Sequence, residues 1–356
     1  MSDWLIDAPM SVPGKKADTP LHEFLVRLMR GENLPFADSA RFFKALTALD
    51  ANPAQIAGCL VALVSKGETY EELAGMARVM REQAIPIETH HTKFIDLAGT
   101  GSSPVKAFNI STAAAFVVAG AGLAVAKHTS RGVTSKIGSA DALSGLGVNI
   151  SGEPKLAQAC LNGAGLGFLF APSFHPTLRR VADTRRSLGI RTTLNLLGAL
   201  SNPSKAPYQV LGVWHRSLVE PLAQALALLG THKAWVVHGQ DGLDEVTING
   251  PTYVAEVSGR KIQTFDLTPA DFGLASSDFE SVKATNAKES AAIIRDVLDS
   301  KRRDEARSLV IANAAAALIV GGKSEDPLHA ARLAEQSIDS GSARIKLDRL
   351  IQTTNK

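Results

Sequence analysis

Apolar residues recur at helical spacing through the first quarter of the chain. The first such segment follows Pro20 and ends before Gly31, and its apolar face consists of Leu21, Phe24, Leu25 and Leu28. A second helix is predicted to begin near Asp38. Residues 1–19 show no clear period and are predicted to form an N-terminal arm.

Capping residues predict two more helices in this region. Asn52 precedes Pro53, which is the order of an N-cap and a first helical residue, and this helix is predicted to stop at Gly67. Thr69 and Glu72 have the spacing of a capping box, which predicts a fourth helix to about Gln83.

From Phe94 onward, short apolar strands alternate with helices. Strands are predicted at 94–99, 123–128, 166–172, 210–214 and 234–239, helices at 110–121 and 140–146, and a hairpin over 252–267 that turns at Ser258-Gly259. This alternation predicts an α/β fold with a mainly parallel sheet flanked by helices. The C-terminal third is predicted to be mostly helical.

The stretch between His175 and Pro203 is polar, rich in arginine and helical in pattern. It is closer in character to the first quarter than to the sheet region, so we expect it to pack onto the helical domain. The predicted domains are therefore a helical one, 20–92 plus about 176–210, and an α/β one, 93–175 plus about 211–356.

Composition narrows the class of protein. The chain has 356 residues, 45% hydrophobic and 21% charged, with a net charge of +3, so neither a nucleic-acid nor a membrane partner is indicated. The apolar run Leu309 to Val320 is too short to cross a bilayer, and the N-terminus lacks a signal sequence, which favours the cytoplasm. Cys59 and Cys160 are expected to be buried free thiols.

Three segments are expected to converge at the carboxyl ends of the first two strands. Gly99 and Gly101 flank a turn after the first strand, and Asn109, Ser111 and Thr112 open the next helix. Lys127 and His128 end the second strand. A tight turn with an ordinary N-cap is the alternative, but the nearby Ser135, Lys136 and Ser139 favour an anion site.

Asp244 and Glu245 follow the strand 234–239 in the loop DGLDEVT. Adjacent carboxylates at a strand end suit Mg²⁺, which takes one or two carboxylates plus substrate phosphates. By itself the pair also fits a solvated acidic loop. A neighbouring diphosphate, whose charge needs neutralising, favours the metal.

Arg185, Arg186 and Arg191 follow His175-Pro176. They are consistent with a bidentate carboxylate clamp and equally with a solvated helix face. No serine or cysteine triad and no zinc-ligand spacing occurs in the sequence, and His90-His91 has no third ligand at metal spacing.

Several segments, in this order, resemble the anthranilate phosphoribosyltransferase family within the wider group that includes pyrimidine nucleoside phosphorylases. They are FNISTAAAF, VAKH, SKIGSADAL, RRSLGIRTTLNLLGALSNP, GLDEV and DFGL. The resemblance covers nearly all of the chain from about residue 21. It implies a small helical domain made of two chain pieces, a larger α/β domain, and a homodimer formed through the helical domains.

The resemblance also implies residue roles. Positions expected to hold 5-phosphoribosyl 1-diphosphate are Gly99, Gly101, Asn109, Ser111, Thr112, Lys127 and Ser139. Mg²⁺ is expected at Ser111, Asp244 and Glu245. The acceptor is expected at His128, Ser130, His175 and Arg185, with Lys127 and Arg185 as the catalytic pair.

Two segments depart from the family pattern. Ser102-Ser103 stands where the family usually shows Gly-Asp, and the loop then adds Pro104 and Lys106. Thr129-Ser130 stands where it shows Gly-Asn, a pair that helps to frame the aromatic acceptor. The implied reaction is phosphoribosyl transfer to anthranilate in tryptophan biosynthesis. The alternatives are a related transferase or nucleoside phosphorylase with another acceptor, and a non-enzymatic nucleic-acid-binding relative.

Overall fold

The computed structural model describes residues 19–101, 103, 105, 107–131 and 138–356. The chain folds into two compact units. The helical unit consists of 19–84 and 175–201, and the α/β unit consists of 85–174 and 202–356. The predicted arm over 1–19 lies, except for Thr19, outside the described residues.

The helices follow the chain in this order: α1 Pro20–Met29, α2 Phe36–Leu46, α3 Pro53–Lys66, α4 Tyr70–Glu82, α5 Ile110–Gly120, α6 Ser139–Gly145, α7 Pro154–Ala164, α8 Ala171–Phe174, α9 Arg179–Leu188, α10 Thr193–Leu200, α11 Val219–Leu228, α12 Ala287–Leu298, α13 Glu305–Val320, α14 Pro327–Asp339 and α15 Ser342–Thr354. The strands are β1 Phe94–Gly99, β2 Ala124–Thr129, β3 Leu166–Phe170, β4 Tyr208–Gly212, β5 Lys233–Gly239, β6 Thr252–Ser258 and β7 Lys261–Leu267.

The predicted caps of α3 and α4 are present. The Asn52 side chain accepts a hydrogen bond from the Ala54 N–H at 2.8 Å. The Thr69 hydroxyl accepts one from Glu72 N–H at 3.2 Å, and Glu72 accepts the Thr69 N–H at 2.8 Å. Each of these bonds satisfies an N–H that the helix leaves without an intrahelical partner.

Side chains join the two chain segments of the helical unit. Arg81 Nε donates to the Leu200 carbonyl at 2.7 Å, and Arg180 Nη1 donates to the Thr47 carbonyl at 2.9 Å. The core of this unit is apolar, with Phe42 and Phe43 fully buried. Residues 175–201 therefore pack with the first quarter of the chain.

The α/β unit contains a seven-stranded sheet in the order β3-β2-β1-β4-β5-β6-β7. The first five strands in this order are parallel to one another, and β6 pairs antiparallel with both β5 and β7. The predicted fold class, mainly parallel with flanking helices, is confirmed. Strands β2 and β3 lie on one side of β1, and β4 and β5 lie on the other. The carboxyl ends of β1, β2, β4 and β5 therefore lie at one edge of the sheet, at the crevice where α/β proteins bind ligands.

Several element limits differ from the predicted ones. Strand β4 covers 208–212 rather than 210–214, because the polar Gln209 pairs with Asp96 inside the sheet. Strand β3 ends at Phe170, because helix α8 begins at Ala171. The β6–β7 turn is Gly259-Arg260, because Ser258 still pairs with Lys261.

Candidate active site

The charged side chain of Lys127 lies near the carboxyl edge of the sheet, where the crevice is. It lies near the end of β2 and is 3% exposed. Its ammonium group donates to the Leu97 carbonyl and, at 3.2 Å, to the Ser111 hydroxyl. The second strand and the start of α5 therefore meet at one lysine, as the sequence predicted for these two segments.

Ser111 also joins α5 to the loop after β5. Its backbone N–H donates to Glu245 Oε1 at 3.2 Å. Ser111 is the second residue of α5, so this N–H is one of the donors that a helix leaves free at its N-terminus. A carboxylate there is stabilised by the helix dipole.

Close backbone packing fixes the loop that carries Asp244 and Glu245. A Cβ at Gly212 would lie 1.7 Å from the Asp244 carbonyl oxygen, so only glycine fits at the end of β4. On the other side, Asn313 of α13 accepts the Val246 N–H at 2.9 Å and donates to the Val246 carbonyl at 2.8 Å. The two acidic residues are thus held between β4 and α13.

Burial perturbs the charged groups of this cluster. Desolvation, with a smaller effect of Asp244, raises the pKa of Glu245 to about 7, although Lys127 and the hydrogen bonds from Ser111 lower it. Desolvation also lowers the pKa of Lys127, while Asp96, Glu245 and Asp244 oppose that effect. The charge of Glu245 is therefore only partly compensated by its neighbours, a situation that a cation would relieve.

The donor groups of these residues are of the types that bind magnesium. Asp244 and Glu245 supply two carboxylates, and Ser111 supplies a hydroxyl beside them. Within the described ranges, no group of three His, Cys, Asp or Glu residues has the geometry of a metal site. Mg²⁺ commonly takes only one or two carboxylates and completes its shell with substrate phosphates and water, so this donor set suits it.

The Gly-rich turn after β1 is tied to the same loops. Thr100 donates to the Gly212 carbonyl from its N–H at 2.9 Å and from its hydroxyl at 3.2 Å. Gly101 has φ +63°, a conformation that favours glycine. Ser103 donates its hydroxyl to the Gly242 carbonyl at 2.8 Å. This serine therefore connects the turn to the loop that carries the carboxylates.

Some of the sequence-based predictions fall on residues outside the described ranges. These are Ser102, Pro104, Lys106, Ser135 and Lys136.

The other predicted donor-site residues differ in environment. Asn109 Oδ1 accepts a hydrogen bond from the Ser290 hydroxyl at 2.8 Å, and the backbone N–H of Asn109 donates to the Ser290 Oγ at 3.0 Å. Thr112 is fully buried. Ser139 opens α6, and its hydroxyl donates to the Ser130 carbonyl at 3.4 Å. Asn109 is therefore anchored to α12, whereas Ser139 lies beside the end of β2.

Two of the predicted acceptor residues lie at the end of β2. His128 is buried and Ser130 is exposed. Thr129, which stands at a position where the family shows glycine, is 3% exposed, and its hydroxyl has no hydrogen-bond partner among the residues described. The chain therefore places an additional buried polar group between the two predicted acceptor contacts.

His175 and Arg185 belong to the helical unit. The His175 ring is hydrogen-bonded to the backbone of Ser201 and Met80, and burial lowers its pKa to about 4. Arg185 lies in the last turn of α9 and is half-buried. Burial lowers the pKa of Arg185, and its Nε finds no hydrogen-bond acceptor in the part of the chain that the structure describes. An anionic ligand would supply such an acceptor.

Sequence reasoning missed three residues that shape the site. Asp96 and Gln209 lie in strands β1 and β4, and Asn313 lies in the apolar helix α13; all three are buried. The available signal was a polar residue inside an otherwise apolar element. A buried polar side chain needs partners, so each such position pointed to a specific contact.

Comparison with known proteins agrees with this geometry. The model of the glycosyl transferase family a/b domain matches residues 91–344, and that of its helical bundle domain matches 22–84. An anthranilate phosphoribosyltransferase from Moorella thermoacetica is 46% identical over 91% of this chain and 96% of its own. The chain belongs to the anthranilate phosphoribosyltransferase family. A family member from Roseiflexus is 44% identical over 93% of this chain and 97% of its own length.

Solved structures of the family have the same fold. The anthranilate phosphoribosyltransferase of Thermus thermophilus matches with a TM-score of 0.87 and 37% identity, covering 94% of this chain and 99% of that one. The enzyme of Saccharomyces cerevisiae, solved in complex with PRPP and Mg, matches with a TM-score of 0.86 and 26% identity over 95% and 98% of the two chains. No described helix has both the length and the apolar character of a membrane span.

Proposed function

We propose that this protein transfers the phosphoribosyl group of 5-phosphoribosyl 1-diphosphate to anthranilate, giving N-(5-phosphoribosyl)anthranilate and diphosphate. The family membership supports the reaction. The single observation of the structure that carries it is the convergence of Lys127, Ser111 and Glu245 through hydrogen bonds at the carboxyl end of the sheet. We place this reaction in cytoplasmic tryptophan biosynthesis.

The donor half of the site is built for a polyanion. Lys127 contributes a buried positive charge, and the N-terminus of α5 near Ser111 contributes the positive end of the helix dipole. In the reaction, the bond between the ribose anomeric carbon and the diphosphate oxygen breaks, and negative charge grows on the leaving group. A positive group fixed beside that oxygen stabilises this charge more in the transition state than in the ground state.

Mg²⁺ would be held by Asp244 and Glu245 together with the Ser111 hydroxyl. When bound, the ion would neutralise negative charge on the diphosphate. The protein's own contribution is to fix the two carboxylates, through Gly212 and Asn313, beside the positive group of Lys127. Catalysis then depends mainly on positioning and electrostatics.

The acceptor half needs a group that recognises a carboxylate. Arg185 supports this role, because its Nε has no acceptor among the described residues and a half-buried guanidinium gains most from a bidentate anion. The aryl amine of anthranilate is neutral at pH 7 and already nucleophilic. Its nitrogen forms the new bond to the anomeric carbon with inversion and then loses a proton to water, so no strong general base is required.

A fluorescence assay tests the proposal. Purified protein is mixed with anthranilate, 5-phosphoribosyl 1-diphosphate and Mg²⁺, and the loss of anthranilate fluorescence is followed while the product is identified by mass spectrometry. We expect loss that requires both the donor and the metal. If no anthranilate is consumed under conditions where a characterised family member is active, anthranilate is excluded as the acceptor.

A different acceptor for the same donor is the second candidate function. It is favoured by Thr129, a buried residue at a position where the family shows glycine, whose hydroxyl has no partner among the described residues. A panel of aromatic amines and nucleobases in the same assay distinguishes the two. If another compound is used better than anthranilate, and Thr129→Gly reverses the order, the second function is correct.

We also propose that the protein is a homodimer formed through the helical unit. Val61 and Val64 lie on α3 and Met29 ends α1; these apolar side chains are 39%, 42% and 45% exposed. Residues three positions apart share a helix face, so the two valines form a continuous apolar patch. The double variant Val61→Asp/Val64→Asp should convert a dimer to a monomer in light scattering, and a monomeric wild-type protein would contradict this.

A further inference from the structure

Strands β1 and β2 pair along only part of their length. Their register joins Phe94 to Ala124 and Ile95 to Val125, and no further pairs follow. Strand β2 continues to pair with β3 up to Thr129, and β1 continues to pair with β4 up to Gly99. Beyond Ile95 and Val125, the facing backbone groups of β1 and β2 therefore need other partners.

Side chains supply these partners from both strands. Asp96 of β1 accepts the backbone N–H of His128 at 3.1 Å through Oδ1. In the opposite direction, the Lys127 ammonium of β2 donates to the Leu97 carbonyl of β1. Two side chains thus replace the ladder at the point where the predicted catalytic lysine enters the crevice.

Asp96 is fully buried, so its carboxylate is costly unless it is well paired. Its Oδ2 accepts a hydrogen bond at 3.4 Å from Nε2 of Gln209, the β4 residue that faces Asp96 in the sheet. The carboxylate therefore links strand β1 to both of its neighbours, β2 and β4. An apolar residue at this position would remove the Asp96 acceptor of the His128 N–H, and an unsatisfied buried donor is unfavourable.

We propose that Asp96 is a positioning residue that fixes the end of β2, so that Lys127 and His128 enter the donor and acceptor halves of the site together. This inference rests on the proposed function of those two residues. Successive residues of a strand point to opposite faces, so one hydrogen bond to the His128 backbone constrains both side chains. We therefore expect a single substitution at Asp96 to raise the KM of both substrates.

Two variants separate positioning from burial of a charge. Asp96→Ala removes the acceptor of the His128 N–H. Asp96→Asn keeps an oxygen at that place, and the Gln209 amide turns to accept from the new NH₂ group. We expect Asp96→Ala to raise the KM of both substrates at least about 10-fold, the change that 1.4 kcal/mol corresponds to. We expect Asp96→Asn to restore both KM values to within about three-fold of the wild type.

Glu256→Ala provides a matched control. Glu256 is another largely buried acid of the same sheet, and it accepts from Trp235 Nε1 at 2.7 Å near the amino end of β5, away from the crevice. If Asp96 acts only by stabilising the sheet, both alanine variants should lower the melting temperature and leave the KM values alone. A rise in one KM without the other in Asp96→Ala also overturns the proposal.

Hydrogen–deuterium exchange tests the same inference without turnover. The β2 peptide that contains His128 should exchange faster in Asp96→Ala and at the wild-type rate in Asp96→Asn. Unchanged exchange in Asp96→Ala refutes the proposed anchor. An inactive wild-type protein in which exchange responds as expected would instead refute the proposed reaction and keep the structural role of Asp96.

Discussion

The Ser111 backbone N–H donates to Glu245 Oε1 at 3.2 Å, and this bond joins the start of α5 to the loop after β5. The two residues are 134 positions apart in the chain. Both were predicted to bind the same metal ion from separate sequence segments. Their contact brings a helix N-terminus, a hydroxyl and a carboxylate to one point, beside the ammonium group of Lys127.

Removing the negative charges of the acidic loop should abolish metal-dependent turnover. In the double variant Asp244→Asn/Glu245→Gln, both side chains keep their size but no longer attract a divalent cation. We expect a loss of at least about 100-fold in kcat/KM at saturating Mg²⁺, equivalent to about 3 kcal/mol. Steady-state kinetics over a Mg²⁺ titration measure it. Wild-type activity in this variant would exclude the metal assignment, and Asp241→Asn would show whether any acid in the loop has the same effect.

Arg185→Ala should weaken the acceptor more than the donor. The guanidinium is expected to bind the anthranilate carboxylate, and loss of a charged hydrogen bond costs about 1.5–3 kcal/mol, or roughly 10- to 150-fold in the acceptor KM. Arg186→Ala is the matched control, because Arg186 is exposed on the same helix and pairs with Asp183 at 3.1 Å. A larger rise in the donor KM than in the acceptor KM would refute the carboxylate role.

Ser130→Asn tests the departure from the family pattern. It restores the residue that the family shows at this exposed position after β2, and with it a longer amide able to reach an aromatic acceptor. If anthranilate is the acceptor, we expect kcat/KM for anthranilate to rise about three- to ten-fold, equivalent to about 0.7–1.4 kcal/mol. The donor KM should stay constant. A decrease would mean that Ser130 serves a different acceptor.

Stability should fall in acid because of His175. Burial lowers its pKa from 6.5 to about 4, so the unfolded chain binds more protons than the folded one between these values. The stabilisation is complete above pH 6.5, decreases as the pH falls towards 4, and amounts to about 3 kcal/mol at most. Urea unfolding at several pH values measures it. His175→Gln should show a flatter dependence in this window, and equal slopes in the two proteins would contradict the prediction.

Local patterns were sufficient for the elements that contain their own signals. The caps at Asn52 and Thr69, and the limits of β1, depend on residues close in sequence, so the sequence predicts them correctly. Strand β4 was placed two residues late because Gln209 is polar. Its membership of the sheet depends on Asp96, 113 positions away, which no local pattern reports.

The sequence by itself determined the fold class, the family resemblance and the residue types available for phosphate and metal binding. These follow from periodicity and from motifs within short segments. The tertiary structure decided which of these groups meet and how they are charged. The contact of Ser111 with Glu245, the raised pKa of Glu245 and the Asp96 bond to His128 all depend on burial and on strand order. Such effects arise only when distant segments exclude water from one another, so the sequence alone could not specify them.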